Sequence, residues 1–360
     1  MRASAKMTSL GLGVIAMLTA GCAAAEGGSL DWNSFGTLAA TNARLDWGDY
    51  TQNNLQPHGT GRSQTVSIDT DSRLGGQLSW HGGDFGAQVQ IVSEYRPDGS
   101  FDPYLSWANL TYAVNSQWKL RIGRIGLDSF LFSDSRLIGL TYHTVRLPVE
   151  VYRLLPLYDS DGVDSNVRWQ WGDWRQTTEV VAGHKTVVNV QRSHVHSTDV
   201  YGIFHTAEQG PWTLHMAYQQ RRVDNQSPPL GHFYSMGLRY DDSNWIAYGE
   251  AVRTTSFTAL GRPLIREGAY ATVGYRWGVL TPFALISGLQ QRSNSGQLPV
   301  AQQSQAIGLR WDWARHADLK IQWDHVQPSA GSYGTEQNVL PGTPKGQAFQ
   351  VFTLTTDFAY

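Results

Sequence analysis

The chain has 360 residues, one cysteine and a formal net charge of −2. Charged residues make up 16% of it and aromatic residues 12%, whereas a soluble domain carries about 25% charged residues. This balance gives no reason to expect a nucleic-acid partner. The lone cysteine excludes a disulfide framework and a cysteine-based zinc site, and no apolar run approaches the roughly 20 residues of a membrane-spanning helix.

Residues 1–25 have the pattern of a secretory signal peptide. Two basic residues precede a short apolar stretch, and the alanines at 23–25 offer a small-residue cleavage site. We therefore expect a mature chain of residues 26–360 that leaves the cytoplasm. The segment before Cys22 resembles a bacterial lipoprotein signal with Thr19 where leucine is usual, so lipidation of Cys22 and its removal with the signal are both open.

From residue 35 to the end of the chain, apolar and polar residues alternate in segments of about ten residues separated by polar turns. Between Phe85 and Arg96, for example, Val89 and Ile91 fall on one face and Gln88 and Glu94 on the other. Strands of this kind separate an apolar environment from water. The pattern predicts sixteen strands, at 34–45, 66–80, 85–96, 104–114, 118–126, 162–171, 174–183, 199–208, 212–221, 232–241, 245–254, 268–277, 281–291, 303–313, 317–327 and 347–360.

The predicted connections alternate between tight turns such as 172–173 and longer polar loops such as 46–65 and 328–346. Indole rings prefer a membrane–water interface, and a set of tryptophans borders the tight turns: Trp80, Trp118, Trp171, Trp174, Trp212, Trp245, Trp277 and Trp313. A soluble β-sandwich or propeller could bury them instead, but it would not explain strands with one apolar and one charged face. The sequence therefore predicts an all-β fold, a transmembrane antiparallel β-barrel.

The last predicted strand places Phe352, Leu354, Phe358 and Tyr360 on one face, and this aromatic end resembles the C-terminal assembly signal of outer-membrane proteins. With sixteen strands and a long connection after the fifth, the chain resembles the trimeric general porins of Gram-negative bacteria. The resemblance implies the bacterial outer membrane, contact with its lipid, a homotrimer, and a water-filled channel for passive diffusion of small hydrophilic solutes and ions. It implies no enzyme activity, cofactor or metal.

In general porins, the loop after the fifth strand folds into the lumen and narrows the pore, with loop carboxylates facing basic residues on the wall. The corresponding loop is 127–161, and its segment 145–152 resembles a branch of porin-like proteins of unassigned substrate. By position, the candidate loop carboxylates are Asp128, Asp134, Glu150, Asp159 and Asp161. The candidate basic wall consists of Arg73, Arg96, Lys119 and Arg121. Basic loop residues depart from the simplest family pattern, namely Arg136, Arg146 and Arg153.

Opposed charges across a narrow gap filter solutes by charge, but acids and bases are equally numerous on the predicted inward faces, so the sign of selectivity stays open. Three other functions also stay open. A substrate-specific channel for a sugar or organic anion could use the aromatic residues Tyr104, Trp107, Tyr142 and Tyr152. An outer-membrane hydrolase would need His194 or His196 aligned with Ser193 or Ser197. The third is a secreted all-β binding module.

Overall fold

The structure is a computed structural model that describes residues 28–188, 194–224, 226–258, 260–293 and 300–360. Sixteen antiparallel strands close into one barrel. They are β1 (Gly28–Ala43), β2 (Arg73–Gly82), β3 (Phe85–Glu94), β4 (Tyr104–Ala113), β5 (Trp118–Gly126), β6 (Asp159–Trp171), β7 (Trp174–Val188), β8 (His194–Gln209), β9 (Trp212–Val223), β10 (Leu230–Asp241), β11 (Trp245–Phe257), β12 (Pro263–Tyr275), β13 (Leu280–Ser293), β14 (Ala301–Ala314), β15 (Ala317–Pro328) and β16 (Phe349–Ala359). The predicted fold class and strand number are confirmed.

The barrel closes where β1 pairs with β16, from Phe35 opposite Ala359 to Ala43 opposite Val351. On its other side, β1 pairs with β2. Closure leaves no sheet edge with unpaired backbone groups, which lipid would not tolerate. No helix in the described part of the chain is long and apolar enough to cross a membrane.

The second strand differs from the prediction, because it begins at Arg73 rather than at residue 66. Residues 66–72 alternate like a strand and run beside β1, where the backbone groups of Ser67 and Thr41 exchange two hydrogen bonds of 2.8 and 2.9 Å. This bridge is out of register with the ladder between β1 and β2. The hydroxyl of Thr41 also donates to Asp71 at 2.8 Å. This segment therefore forms the last part of a long connection, loop 44–72, and it leads into β2 along the side of β1.

Short and long connections lie at opposite rims. The turn rim carries the connections 83–84, 114–117, 172–173, 210–211, 242–244, 276–279 and 315–316. The loop rim carries the long connections 44–72, 95–103, 127–158 and 329–348. At the turn rim, outward aromatic side chains pair across strands, with ring centroids 4.7 Å apart for Trp212 and Tyr240 and 4.9 Å for Trp245 and Tyr275. Six of the eight tryptophans predicted there are exposed: Trp118, Trp171, Trp212, Trp245, Trp277 and Trp313.

The outer surface between the rims is an apolar belt. Leu38 is 63% exposed, Leu110 is 62% exposed and Met236 is 58% exposed, although side chains of these types are normally buried in a soluble protein. The polar positions between them face the barrel interior. Apolar surroundings outside and polar groups inside are the arrangement of a barrel that sits in lipid.

The sequence pattern predicted a barrel interior that is polar on all sides, but part of the interior is apolar. Inward-facing Val181, Phe204, Phe233, Tyr248 and Tyr270 are all buried in one apolar cluster. These side chains do not meet water because a loop inside the barrel packs against them. Alternation along a strand distinguishes lipid from lumen, but it does not reveal that part of the lumen is filled by protein.

Candidate functional site

The connection between β5 and β6, residues 127–158, lies inside the barrel, and we call it the plug loop. Its apolar side chains are almost fully enclosed, with Phe130 and Val151 at 0% exposure and Tyr142 and Leu155 at 1%. It contains a 3-10 turn, Gly139–Thr141, and one helical turn, Val149–Tyr152. Pro148 precedes the helical turn with φ −58°, an angle that the proline ring fixes in advance.

Aromatic contacts join the plug loop to the barrel wall. The rings of Phe130 and Phe233 lie 5.0 Å apart, and those of Phe132 and Tyr248 lie 4.8 Å apart. Within the loop, Phe130 stacks on Tyr152 at 4.6 Å. Each large apolar side chain buried in this way contributes roughly 1.5–3 kcal/mol. The docked loop is therefore a packed core inside the barrel rather than a polar strap across open water.

Three cations on the wall hold backbone carbonyls of the plug loop. Arg73 donates to the carbonyl of Leu137 at 2.8 Å and to the Tyr142 hydroxyl at 2.5 Å. Arg310 donates to the carbonyl of Tyr142 at 3.1 Å, and Lys320 donates to that of Gly139 at 2.7 Å. Arg73 thus faces the loop as predicted, but its partners there are neutral oxygens.

Arg146 of the plug loop is the centre of a buried ionic group. It forms a bidentate pair with Asp71, both bonds being 2.8 Å, lies 3.4 Å from Asp324, and donates to Thr353 at 2.5 Å. Burial by itself would raise the pKa of Asp71, but the adjacent Arg146 charge outweighs it and holds that pKa below the ordinary value. At this contact the loop is basic and the surrounding groups are acidic, which reverses the predicted polarity.

Glu150, a predicted loop carboxylate, faces neutral donors rather than a basic wall. It accepts hydrogen bonds from Ser287 at 2.9 Å, from Gln302 at 2.7 Å and from the Ser304 hydroxyl. Its backbone lies against Gly268 of β12, where any added Cβ would clash with the Glu150 carbonyl oxygen. Glu150 therefore anchors the helical turn to β13 and β14.

The other two predicted loop carboxylates within the plug loop lie near Arg121 of β5. Arg121 pairs with Asp164 at 2.6 Å and with Glu179 at 2.8 Å, and the charge of Asp134 also acts on it. Asp128 lies 4.0 Å from the ring of His215. Enclosure in the barrel raises the pKa of Asp128 well above its ordinary value, and the nearby charge of Asp134 adds to this effect.

Asp159 and Asp161 do not lie in the loop, so that part of the prediction is wrong. Both belong to β6, because Asp159 pairs with Gly126 and Asp161 with Arg124 in the ladder with β5. Asp161 shares the outward face of Val163, which is 48% exposed, and it pairs with Arg124 at 2.7 Å. Asp159 forms an ion pair with Lys185. The loop thus ends at Tyr158, and Asp161 points away from the lumen.

The two remaining basic-wall residues lie at different heights. Arg96 lies two residues beyond the end of β3 and belongs to the hairpin loop 95–103, where it donates to the carbonyl of Asp102 at 3.3 Å. It is not a wall residue, because β3 ends at Glu94 rather than at residue 96. Lys119 lines a recess of about 340 Å³ at the turn rim, together with Arg121 and Arg168.

A second cavity, of about 750 Å³, opens at the loop rim between the plug loop, loop 44–72 and the ends of β7 to β9. Between the plug loop and the wall of β1, β3 and β4 lies a void of about 10 Å³ lined by Gln90, Ser106, Asp134 and Arg136. That space holds about one water molecule. Beside it, the Arg136 guanidinium stacks 3.8 Å over the ring of Tyr158.

Two ionic groups could not be identified from the sequence: Arg146 with Asp71 and Asp324, and Lys320 with Asp357 at 3.0 Å. The one sign of the first group in the sequence is the unexpected arginine in the loop. The proposed sugar path is not assembled, because Tyr142 and Tyr152 are buried in the plug-loop core. For the hydrolase alternative, Ser193 and the side chain of His194 lie outside the described residues. His196 belongs to β8 rather than to a loop, and Ser197 is 1% exposed.

No protein-family model and no curated protein matches the sequence. Solved structures do match over nearly the whole chain. OmpT, an outer membrane protein of Vibrio cholerae in its trimer form, is 10% identical with a TM-score of 0.61, covering 93% of this chain and 100% of that one. The outer membrane channel DcaP of Acinetobacter baumannii is 10% identical with a TM-score of 0.62, covering 94% and 99%.

The anion-selective porin from Comamonas acidovorans is 11% identical with a TM-score of 0.60, covering 92% of this chain and 100% of that one. At these identities the likeness is one of fold. The lipid-facing belt, the closed barrel and the inserted loop after the fifth strand all agree with it. The chain therefore has the fold of the general porins, a closed barrel of sixteen antiparallel strands with an apolar outer belt.

Proposed function

We propose that this chain is a channel protein, without enzyme activity, through which small hydrophilic solutes and ions cross the outer membrane by passive diffusion. The observation that carries the proposal is a packed loop held inside a closed barrel, with a cavity at each end of the lumen. By analogy with outer-membrane barrels, the turn rim faces the periplasm and the loop rim the outside. We further propose that residues 1–25 are removed on export and that the protein assembles as a homotrimer.

The route for solutes in this proposal follows the wall of β3 to β6. Most hydrogen bonds between the wall and the plug loop come from other strands, where Arg73, Gln219, Glu250, Thr272 and Gln322 are examples on β2, β9, β11, β12 and β15. The narrow void and the turn-rim recess both lie along the β3 to β6 side. Because the void holds about one water, passage of a larger solute requires the plug loop to move away from this wall.

A solute-specific channel is the second candidate, and the filled lumen favours it over a wide general pore. A loop that must be displaced discriminates between solutes by the contacts they make on the way. Of the two solute classes considered, organic anions are favoured over sugars, because the aromatic residues proposed for a sugar path are partly consumed by packing of the plug loop.

Single-channel recording tests the proposal. The refolded mature protein is placed in a planar bilayer, beside a variant in which residues 131–154 are replaced by a short Gly/Ser linker. We expect small, brief current steps from the native chain and steps several times larger from the variant, because the packed loop is gone. The proposal is overturned if the variant, shown to be a folded barrel by its heat-modifiable mobility, conducts no more than the native chain.

A further inference from the structure

The loop-rim cavity combines an apolar surface with one cation. Its apolar lining includes Leu55, Pro57, Pro156, Val187 and Val195, whereas Arg221 is the cationic side chain among its lining residues. The other polar lining residues are the amides Asn54, Gln226, Gln337 and Asn338 and the hydroxyl residue Ser197, so polar and apolar residues share the lining about equally. At about 750 Å³, the cavity is in the size range of small-molecule sites.

Arg221 has no carboxylate partner within 4.0 Å among the residues that the structure describes. A second cation, Arg266 of β12, does not line the cavity, but the sheet register places it level with Gln219 of β9, three strands away on the same inward surface. Its positive charge acts on Arg221. Several other inward arginines are matched to a carboxylate: Arg121 to Asp164, Arg146 to Asp71 and Arg310 to Asp318. The guanidinium of Arg73 is instead bound by neutral oxygens of the plug loop. Two like charges without a counter-ion are unfavourable, and Arg221, unlike Arg73, borders a cavity with room for an anion.

Nearby groups leave hydrogen-bond donors available. Arg266 uses its Nε–H on Gln291 at 2.8 Å, which keeps that guanidinium oriented. Gln219 lies two residues before Arg221 on the same inward face of β9. It is 1% exposed, and its side-chain N–H₂ finds no acceptor within the described part of the chain. Gly231, directly opposite Arg221 on β10, has no side chain to fill the space, and the Arg221 Nε lies 3.6 Å from the position of a Cβ there.

We propose that Arg221 and Arg266 form a capture site for a small carboxylate with an apolar body, at the loop rim and ahead of the plug loop. The carboxylate supplies the missing counter-charge to the two guanidinium groups. Its apolar body lies against the leucine, prolines and valines of the cavity. The assignment rests on the proposed channel function for its biological meaning, but binding at the site can be measured without any current.

The probe is 4-fluorobenzoate, followed by ¹⁹F NMR during titration of the refolded mature protein in detergent. We expect Arg221→Gln and Arg266→Gln each to weaken binding about tenfold, the loss typical of one charge-assisted hydrogen bond. The matched control is Arg222→Gln. Arg222 is the next residue, but it is 57% exposed and pairs with Asp199 at 3.0 Å, so its removal should change binding less than twofold.

Two further probes separate the parts of the proposal. Neutral 4-fluorobenzamide has the same apolar body and should bind at least tenfold more weakly than the carboxylate. Inorganic phosphate has the charge without the apolar body and should compete poorly; equal competition would overturn the assignment to carboxylates with an apolar body. Unchanged affinity in both arginine variants would overturn the site itself.

Failure of this site and failure of the channel proposal are distinguishable. A protein that conducts but does not bind 4-fluorobenzoate loses the capture site and remains a channel. A protein that binds the probe through Arg221 and never conducts keeps the site and loses the channel function. Heat-modifiable mobility is measured for every variant to check that each one forms a closed barrel before its binding or conductance is compared with that of the native chain.

Discussion

Arg146 and Asp71 share two hydrogen bonds of 2.8 Å although 75 positions separate them in the chain, and their side chains are 2% and 1% exposed. Arg146 belongs to the plug loop and Asp71 to loop 44–72, just ahead of β2. The pair therefore joins the plug loop inside the barrel to loop 44–72 at the loop rim. Tyr50 of loop 44–72 adds a second contact, because its ring centroid lies 5.3 Å from the same guanidinium.

The first prediction concerns this pair. Arg146→Gln leaves Asp71 buried without its cation, which costs about 3–5 kcal/mol of stability for a broken buried ion pair. Urea unfolding in lipid vesicles measures the free energy. The control is Arg175→Gln. Arg175 is 79% exposed and forms a surface ion pair with Glu208 at 3.5 Å, and such surface pairs contribute about 0–1 kcal/mol to stability.

A double variant completes that experiment. In the Arg146→Gln background, Asp71→Asn removes the stranded charge, so it should recover part of the lost stability although it destabilises the native chain. If the two changes instead add, the two residues do not act as a pair, and the plug loop is held by its apolar packing alone.

The second prediction concerns the fit between the plug loop and β12. Gly268→Ala places a methyl group against the Glu150 carbonyl, so the helical turn must shift and its bonds to β13 and β14 weaken. We expect a loss of about 1–3 kcal/mol, as for other overpacked positions, and a larger mean conductance. Gly288→Ala on β13 is the control, because the nearest atom to its Cβ is 3.6 Å away. An equal effect of both changes would show that the close contact at Gly268 has no special role.

The strands could be predicted from the sequence because lipid and lumen impose a period of two on each of them. Most predicted ends, such as 118–126, lie within a few residues of the observed ones. The position of the loop after β5 also followed from the pattern, since it interrupts an otherwise regular alternation.

The contacts of the plug loop could not be predicted, because they join residues far apart in the chain. Arg146 and Asp324 are 178 positions apart, and Glu150 and Gln302 are 152 apart. The alternation of polar and apolar residues along each strand does not indicate which distant residues form such pairs. Counting charges by strand parity therefore identified Arg121 and Arg73 as inward residues, but it assigned neither their partners nor the reversed polarity at Arg146.

The third prediction is a pH dependence set by Asp128. Its pKa is raised in the folded barrel, so the native state holds this proton more tightly than the unfolded chain does. The stabilisation is complete at low pH and is lost as pH rises through the raised pKa. We expect the free energy of unfolding to increase as pH falls from 8 to 5.

The matched variants for that prediction are Asp128→Asn and Asp98→Asn. The first should raise stability at pH 8 and flatten the profile, whereas the second, in the exposed hairpin loop 95–103, should leave its slope unchanged. Asp71 acts in the opposite sense, because its pKa is lowered; its contribution is lost only as pH falls below the ordinary value of 3.8. A profile that is flat between pH 5 and 8 in the native chain would contradict the role of Asp128.

The fourth prediction concerns ion selectivity and separates structural from permeation roles among the basic residues. Lys119 lines the turn-rim recess, and no ion pair within 4.0 Å involves it among the described residues, so Lys119→Gln should shift the reversal potential in a salt gradient toward cations without lowering stability. Arg73→Gln should instead lower stability, since it releases Leu137 and Tyr142 of the plug loop. Arg315→Gln, in the exposed turn after β14, is the control for net charge. A reversal potential that moves equally with Lys119 and Arg315 would place the recess outside the ion path, because only a charge beside that path acts more strongly than one on the outer surface.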